Sequence, residues 1–488
     1  MAALIFFFSL LLLPVESKAA ERYITPAGGG LKDGSSYSNA YDASAGGIEA
    51  CWESIGPGDT CRIGADTYRN ISVKLSSGGE KDKFKKLAGQ KTPFNNRPYF
   101  AGGWSKDKPD KGPSFIMLGP EADSIHIEWL GISNYQYSIR NTKKGRNDHL
   151  KITDIVIRDT RIGIEIYGDG NCSSGPIHSE GCPEPLEASH DIEIQNVTIQ
   201  GATKTGIRFR YGVYRALLKN CDVDMGGAAY DADPAGDMVG FSLGDGKNAG
   251  HDSPDRDITY VDCTARNAYD NAGKEYWQGD GFKSENYSTG VRYIRCRAFD
   301  NTDGGFDVKG PGTELRDSIA ARNKRNFRLW NVNKNKAGRA RLKNCLGHHA
   351  KFWGDKNHSV ADLHLFGDAL IQNSTFHNTL DVPPSTGAFI IHQETNYYKE
   401  GFTTELRDSL YSRDRADSPG TALKHIESSK KAKSFIEEIR TASWDAADPS
   451  TKDTHPDYVN PSPDFEGGAE DYNSRYGKNK GYFSERAR

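Results

Sequence analysis

Val291-Arg-Tyr-Ile-Arg-Cys296-Arg-Ala-Phe-Asp-Asn301-Thr-Asp-Gly-Gly-Phe306-Asp307 holds one structural repeat: a short β-run, a turn before a cysteine, a second turn at an asparagine, and another short run. The first turn recurs as Lys219-Asn220-Cys221, Val261-Asp262-Cys263, Ile294-Arg295-Cys296 and Lys343-Asn344-Cys345. Asn196-Val197, Asp317-Ser318 and Asn373-Ser374 fill the same slot. From Val197 the steps are 24, 42, 33, 22, 27 and 29 residues, a minimum coil near 22 with loops inserted into some turns. A period in that range marks a solenoid. The second turn carries Asn267, Asn301, Asn323 and Asn378, and asparagine suits left-handed backbone. Further β-runs such as Ile152 to Ile157 and Ile192 to Val197 have no helical crossover between them, which a βαβ fold would need. The sequence therefore predicts an all-β fold, a right-handed parallel β-helix with three short strands per coil stacked about 4.8 Å apart. Cys221, Cys263, Cys296 and Cys345 then form an interior column. No CxxC spacing or histidine pair supports a zinc site among them.

Outward from these coils, the chain is polar, with 36% hydrophobic residues, a mean hydropathy of −0.70 and 52 glycines, as suits an elongated fold with many turns. Its 63 basic and 66 acidic residues leave a net charge of −3, so no global field points to nucleic acid or an anionic membrane. Any charged partner must be met locally. The apolar run Leu4 to Leu13, then Pro14 and Ser17-Lys18-Ala19, reads as a signal peptide over residues 1–19. It is about half the roughly 20 apolar residues of a membrane span. The expectation is a secreted (extracellular or periplasmic) monomer without a membrane span. Two cysteine pairs, Cys51 with Cys61 and Cys172 with Cys182, are each ten residues apart in Gly/Pro-rich segments and read as two disulfides. The β-helix is expected over 20–410, with an amphipathic capping helix near Gly47 to Ser54, a long loop over 78–112, and a C-terminal cap or tail over 411–488.

Aligning the third strand of successive coils on its inward residue gives Ile164-Glu165, Ile207-Arg208, Phe241-Ser242, Phe282-Lys283, Phe306-Asp307 and Phe327-Arg328. The second member of each pair points outward. Lys283, Asp307 and Arg328 are thus expected on one face, with Asp280 and Asp303 beside them. Three gathered carboxylates repel unless something positive lies between them. Calcium, a hard cation taking 6–8 oxygens, answers that need. The bland alternative makes Asp280-Gly and Asp303-Gly ordinary turn residues; Asp307, inside a strand, does not fit it.

Gly279-Asp280-Gly281-Phe282-Lys283 and Asn301-Thr302-Asp303-Gly304-Gly305-Phe306-Asp307 resemble the calcium site of family 9 polysaccharide lyases, pectate lyases built on a parallel β-helix. The resemblance implies Ca2+ held by Asp280, Asp303 and Asp307, although Gly304 replaces one family aspartate. It implies a base directly after the phenylalanine of the next coil, where this chain has Arg328, with Lys309 and Lys283 as reserves. Arginine is an awkward base because its guanidinium stays protonated, whereas a lysine is tuned toward 7–8 by burial and neighbouring cations. Elimination needs that base and positive charge for the developing enolate. Arg322, Lys324, Arg325, Arg328, Lys334, Lys336, Arg339, Arg341 and Lys343 form a basic stretch nearby. Lys324, Arg325, Trp330, Lys343 and Lys351 are the expected contacts to an acidic polysaccharide, with Tyr276, Trp277 and Trp353 as further stacking platforms. Three other readings stay open: a uronan C5-epimerase using His348 or His349, a glycoside hydrolase with two opposed carboxyls, and a non-catalytic glycan-binding envelope protein. The acidic insert Tyr230 to Asp237 leaves a second ion site open.

Overall fold

The computed structural model describes residues 19–445 apart from 94–95, 143–145, 169–188, 235, 245–254, 272–277, 286–287, 331–337, 354–359, 379–386, 394–402, 408, 414–420, 427–434 and 440–441. The signal-peptide reading, save for its last residue, therefore lies outside the described residues. The named strands pair in parallel, each with its counterpart one coil away. One sheet climbs from Glu21–Thr25 through Thr60–Ile63 and Lys85–Gly89 to Phe435–Ile439. The other two strands of each coil, such as Arg297–Phe299 and Gly304–Val308, belong to the second, larger sheet. The chain is an all-β parallel β-helix. No helix among the described residues is long and apolar enough to cross a membrane.

The first turn works as its sequence implies. Asn196, Asn220, Asp262, Arg295, Asp317, Asn344 and Asn373 all have positive φ, between 48° and 54°. Short Asn and Asp side chains tolerate that region best, so the turn residue and the buried residue after it are read together. Cys221, Cys263, Cys296 and Cys345 are free and at most 1% exposed. Ser318 and Ser374 continue their column, and the hydroxyls accept from the Cys296 and Cys345 backbone amides at 3.2 and 3.1 Å. One strand away, Phe241, Phe282, Phe306 and Phe327 stack face to face inside the coil, with centroids 4.7, 4.8 and 5.3 Å apart. Each such ring contributes roughly 1.5–3 kcal/mol by leaving water.

The second turn differs from the expectation. Asn267 is left-handed, with φ 59°, but in the next coils that role falls one residue earlier, to Asp300 and Arg322. Asn301 and Asn323 instead point inward and are fully buried. The Asn301 amide donates to Asn323 Oδ1 at 2.7 Å, and Asn323 donates to the Ala298 carbonyl and to Asn326 Oδ1, both at 2.9 Å. Asn326 continues the chain to Asp362 Oδ1 at 2.6 Å. Buried polar groups cost little only when paired, and here each coil satisfies its neighbour. Asn323→Ala is expected to lower stability by ~1–3 kcal/mol, seen as a lower denaturant midpoint. An unchanged midpoint would show that the ladder carries no stability.

At the N-terminal end, the helix Gly47–Ser54 covers the core with Ile48, Cys51 and Trp52, and Cys51 is disulfide-bonded to Cys61 on the adjoining strand. That is one of the two disulfides expected from sequence. The other expected pair, Cys172 with Cys182, lies outside the described residues. The expected long loop over 78–112 is a correction, because it contains the strands Lys85–Gly89 and Tyr99–Ala101. Its lysines hid them. Leu87 and Phe100 are fully buried, while Lys85 turns its amine onto Ser77 Oγ at 2.9 Å, over the Trp52 ring. Strands also continue beyond residue 410, to Ala442–Asp445.

Candidate active site

The outward column forms in the expected register. Glu165 pairs with Arg208, Arg208 with Ser242, Ser242 with Lys283, Lys283 with Asp307, and Asp307 with Arg328. The next member after Arg328 is His364. Sequence reading missed it because Leu363-His364-Leu365 has neither a phenylalanine nor an Asp-Gly turn. The usable signal was the Leu363/Leu365 alternation, since Leu363 succeeds Phe327 on the inward face.

Asp280, Asp303 and Asp307 converge on this column. Burial, and then the charges of Asp307 and Asp303, push the Asp280 acid up to about 8, so it is largely protonated at neutral pH. Asp280 Oδ1 accepts from the Gly304 amide at 2.8 Å. A Cβ on Gly304 would lie 2.9 Å from that same oxygen and from Asp307 Cβ, so an aspartate there would crowd both side chains. Asp303 is ion-paired with Arg325 and lies 3.5 Å from Arg328 Nη1. Asp307 Oδ2 meets Arg328 Nη1 at 3.4 Å and Lys309 Nζ at 3.5 Å. Burial alone would raise the Asp307 acid, but Lys309, Arg328, Lys283 and Arg325 together hold it below its ordinary range.

These residues do not fit a calcium ion as they stand. The protein's own guanidinium and ammonium groups occupy the faces of Asp303 and Asp307 that the metal would use. Only Asp307 Oδ1 is a buried carboxylate oxygen of this trio without a hydrogen-bond partner, where calcium takes six to eight oxygens. Among the described residues no group of three or more His, Cys, Asp or Glu side chains is placed to hold a metal ion.

The cations fall into two kinds. Lys283 Nζ sits 3.3 Å from Glu285, and although burial opposes its charge, Glu285, Asp280, Asp237 and Asp307 raise its proton affinity above that of an ordinary lysine. Lys309 bridges Glu285, at 3.0 Å, and Asp307. Arg328 faces two carboxylates and lies 4.1 Å over the Trp330 ring. Such contacts fix positive charge, so these three expected bases are better suited to clamp an anion. Lys324 differs. It is buried beside Arg325 and Arg328, and desolvation followed by those like charges lowers its amine to about 8. Two buried donors, Arg328 Nε and Trp330 Nε1, have no hydrogen-bond partner among the described residues. Buried donors are seldom left so, and an anion entering beside the Arg328–Trp330 stack would satisfy both.

Other expected residues lie elsewhere. Lys343 and Arg341 belong to the strand Ala340–Lys343 of the other sheet, and Arg339 pairs with Glu405 at 3.0 Å. The basic stretch is therefore split between two faces, because a turn separates its halves. Lys351 sits 4.3 Å over Trp353, whose indole donates to the Arg322 carbonyl at the second turn. His348 and His349 bond one another, Nδ1 to Nδ1 at 2.7 Å, on the neighbouring strand and its turn. Asp233 of the acidic insert pairs with Arg161 at 2.7 Å. Tyr276, Trp277, Lys334 and Lys336 lie outside the described residues.

No protein-family profile and no curated protein matches the chain. Solved structures similar to it include pectate lyase Pel9A, at 15% identity over 86% of this chain and 79% of that one, with a TM-score of 0.33. A rhamnogalacturonan lyase is 12% identical over 80% of this chain and 87% of its own, with a TM-score of 0.45. The A-module of the mannuronan C-5 epimerase AlgE6 of Azotobacter vinelandii is 10% identical over 82% and 93%, with a TM-score of 0.46. At these identities the likeness concerns the fold alone.

Proposed function

We propose that this protein is a secreted lyase that cleaves an acidic, uronate-containing polysaccharide by β-elimination at the column Lys283, Asp307, Arg328. The observation that carries this reading is the pair of buried donors, Arg328 Nε and Trp330 Nε1, that have no hydrogen-bond partner among the described residues, stacked together beside the lysines and arginines of the column. Lys283, Lys309, Arg325 and Arg328 are set against Asp303, Asp307, Glu285 and Asp237, with Asp280 largely neutral. A uronate carboxylate bound by Arg328 and Trp330 would have its developing enolate charge stabilised by fixed cations, without reorganisation during the reaction. Lys324 takes the proton α to that carboxylate, since it is the lysine of the cluster whose surroundings bring the free amine closest to neutral pH. His364, next on the column and packed 4.1 Å from the Phe366 ring, is the candidate to give a proton to the departing sugar oxygen.

The hydrolase reading needs two opposed, available carboxyls, and Arg325, Arg328 and Lys309 already hold two of the three. The test is incubation with a panel of uronans. A lyase yields unsaturated, UV-absorbing chain ends from at least one of them. An epimerase alters the polymer without that absorbance, and a binding protein leaves it intact.

A further inference from the structure

The same column carries a second cationic cluster nearer the N-terminus. Arg140 pairs in register with Glu165, and Glu165 with Arg208. Glu165 is fully buried, ion-paired with Arg208, 4.0 Å from Arg140 Nη2 and 3.8 Å from Arg210 Nη1. Burial would raise its acid, yet Arg208, Arg140 and Arg210 hold it below the ordinary range. Three guanidinium groups thus share one carboxylate. Arg140 Nε and Arg208 Nε are buried donors with no hydrogen-bond partner among the described residues. Aromatic rings line the cluster, with Arg140 4.1 Å over Tyr137, Arg210 5.4 Å over Tyr167, and Tyr167 stacked on Tyr211 at 5.6 Å. Arginine over flat rings with open donors is a setting for a carboxylate on a sugar ring.

From Arg208 the column runs through Ser242, Lys283 and Asp307 to Arg328, four strand steps of about 4.8 Å each, or roughly 19 Å. We infer that the Arg140–Arg208–Arg210 cluster is a remote subsite that binds the carboxylate of an acidic sugar several residues from the one held at Arg328, so that the protein engages long chains rather than short oligomers. This rests on the proposed uronan substrate.

The test measures, by calorimetry, binding of a long uronan and of a two- or three-sugar fragment to the wild type, Arg140→Gln and Arg328→Ala, using whichever uronan the panel selects. Arg140→Gln is expected to weaken the long chain about tenfold, the loss of one charged hydrogen bond, while fragment binding stays unchanged. Arg328→Ala is expected to weaken both. Should Arg140→Gln not fold, Arg140→Lys, which lacks the fork, is expected to weaken the long chain in the same direction. Unchanged long-chain binding in a folded Arg140 variant, with the Arg328→Ala loss intact, overturns the subsite and leaves the proposed cleft standing. Absence of any uronan binding to the wild type overturns the proposed function itself.

Discussion

Lys324→Met is expected to lower turnover of the uronan by about 10²- to 10⁴-fold, the usual contribution of a positioned general base, with binding of the polymer retained. Methionine keeps the unbranched stem and removes the amine, so the buried site stays filled and folding should be preserved. The pH dependence gives an independent reading. The Lys324 amine is lowered to about 8 by burial, then by Arg325 and Arg328, with Asp303 and Asp280 opposing. Wild-type turnover should therefore rise with pH through a limb centred near 8. Asp280 titrates in the same range, so the limb is to be followed in Asp280→Asn, where an amine limb persists and a carboxyl limb vanishes. The linkage has a definite sign. Between about 8 and the ordinary lysine value of 10.5 the unfolded chain binds more protons at this side chain than the folded one. Wild type thus gains stability relative to Lys324→Met as pH rises through that window. A turnover limb above the ordinary lysine range would transfer the base to Lys283.

The second large effect falls on the clamp. Arg328→Ala should reduce kcat/KM by about 10²- to 10³-fold, comparable with losing one preorganised donor to a developing oxyanion, with KM rising as well. Arg328→Lys should recover part of the loss, because the charge beside Asp303 and Asp307 remains while the planar fork over Trp330 does not. The side chain is partly exposed, so neither change should unfold the protein. Wild-type kinetics in Arg328→Ala would remove the column from the reaction.

Sequence made the coils legible because two signals coincide at one turn. Residues such as Asn220 and Asn344 fit positive φ, and the cysteine after each is small and apolar enough for the core. The outward column was legible for the same reason: inward phenylalanines mark the strand phase, and a period of two then fixes Lys283, Asp307 and Arg328. Three things were not legible. A run of lysines concealed the strand Lys85–Gly89, because spacing alone does not say that Lys85 turns back onto Ser77. Asn301 and Asn323 read as turn residues, although their inward ladder depends on the adjoining coil supplying an acceptor. The charge balance of the site was the hardest. The aspartates at 280, 303 and 307 suggest a cation, but spacing alone does not show that Asp303 and Asp307 are ion-paired with Arg325, Arg328 and Lys309.

The central claim, elimination driven by the chain's own lysine and arginine side chains, is tested most directly by following unsaturated product from a uronan with chelator in excess over all divalent ions. Product should accumulate at the same rate with and without chelator, and be lost in Lys324→Met. Turnover that stops on chelation and returns with added calcium would contradict the account and restore the metal to Asp280, Asp303 and Asp307.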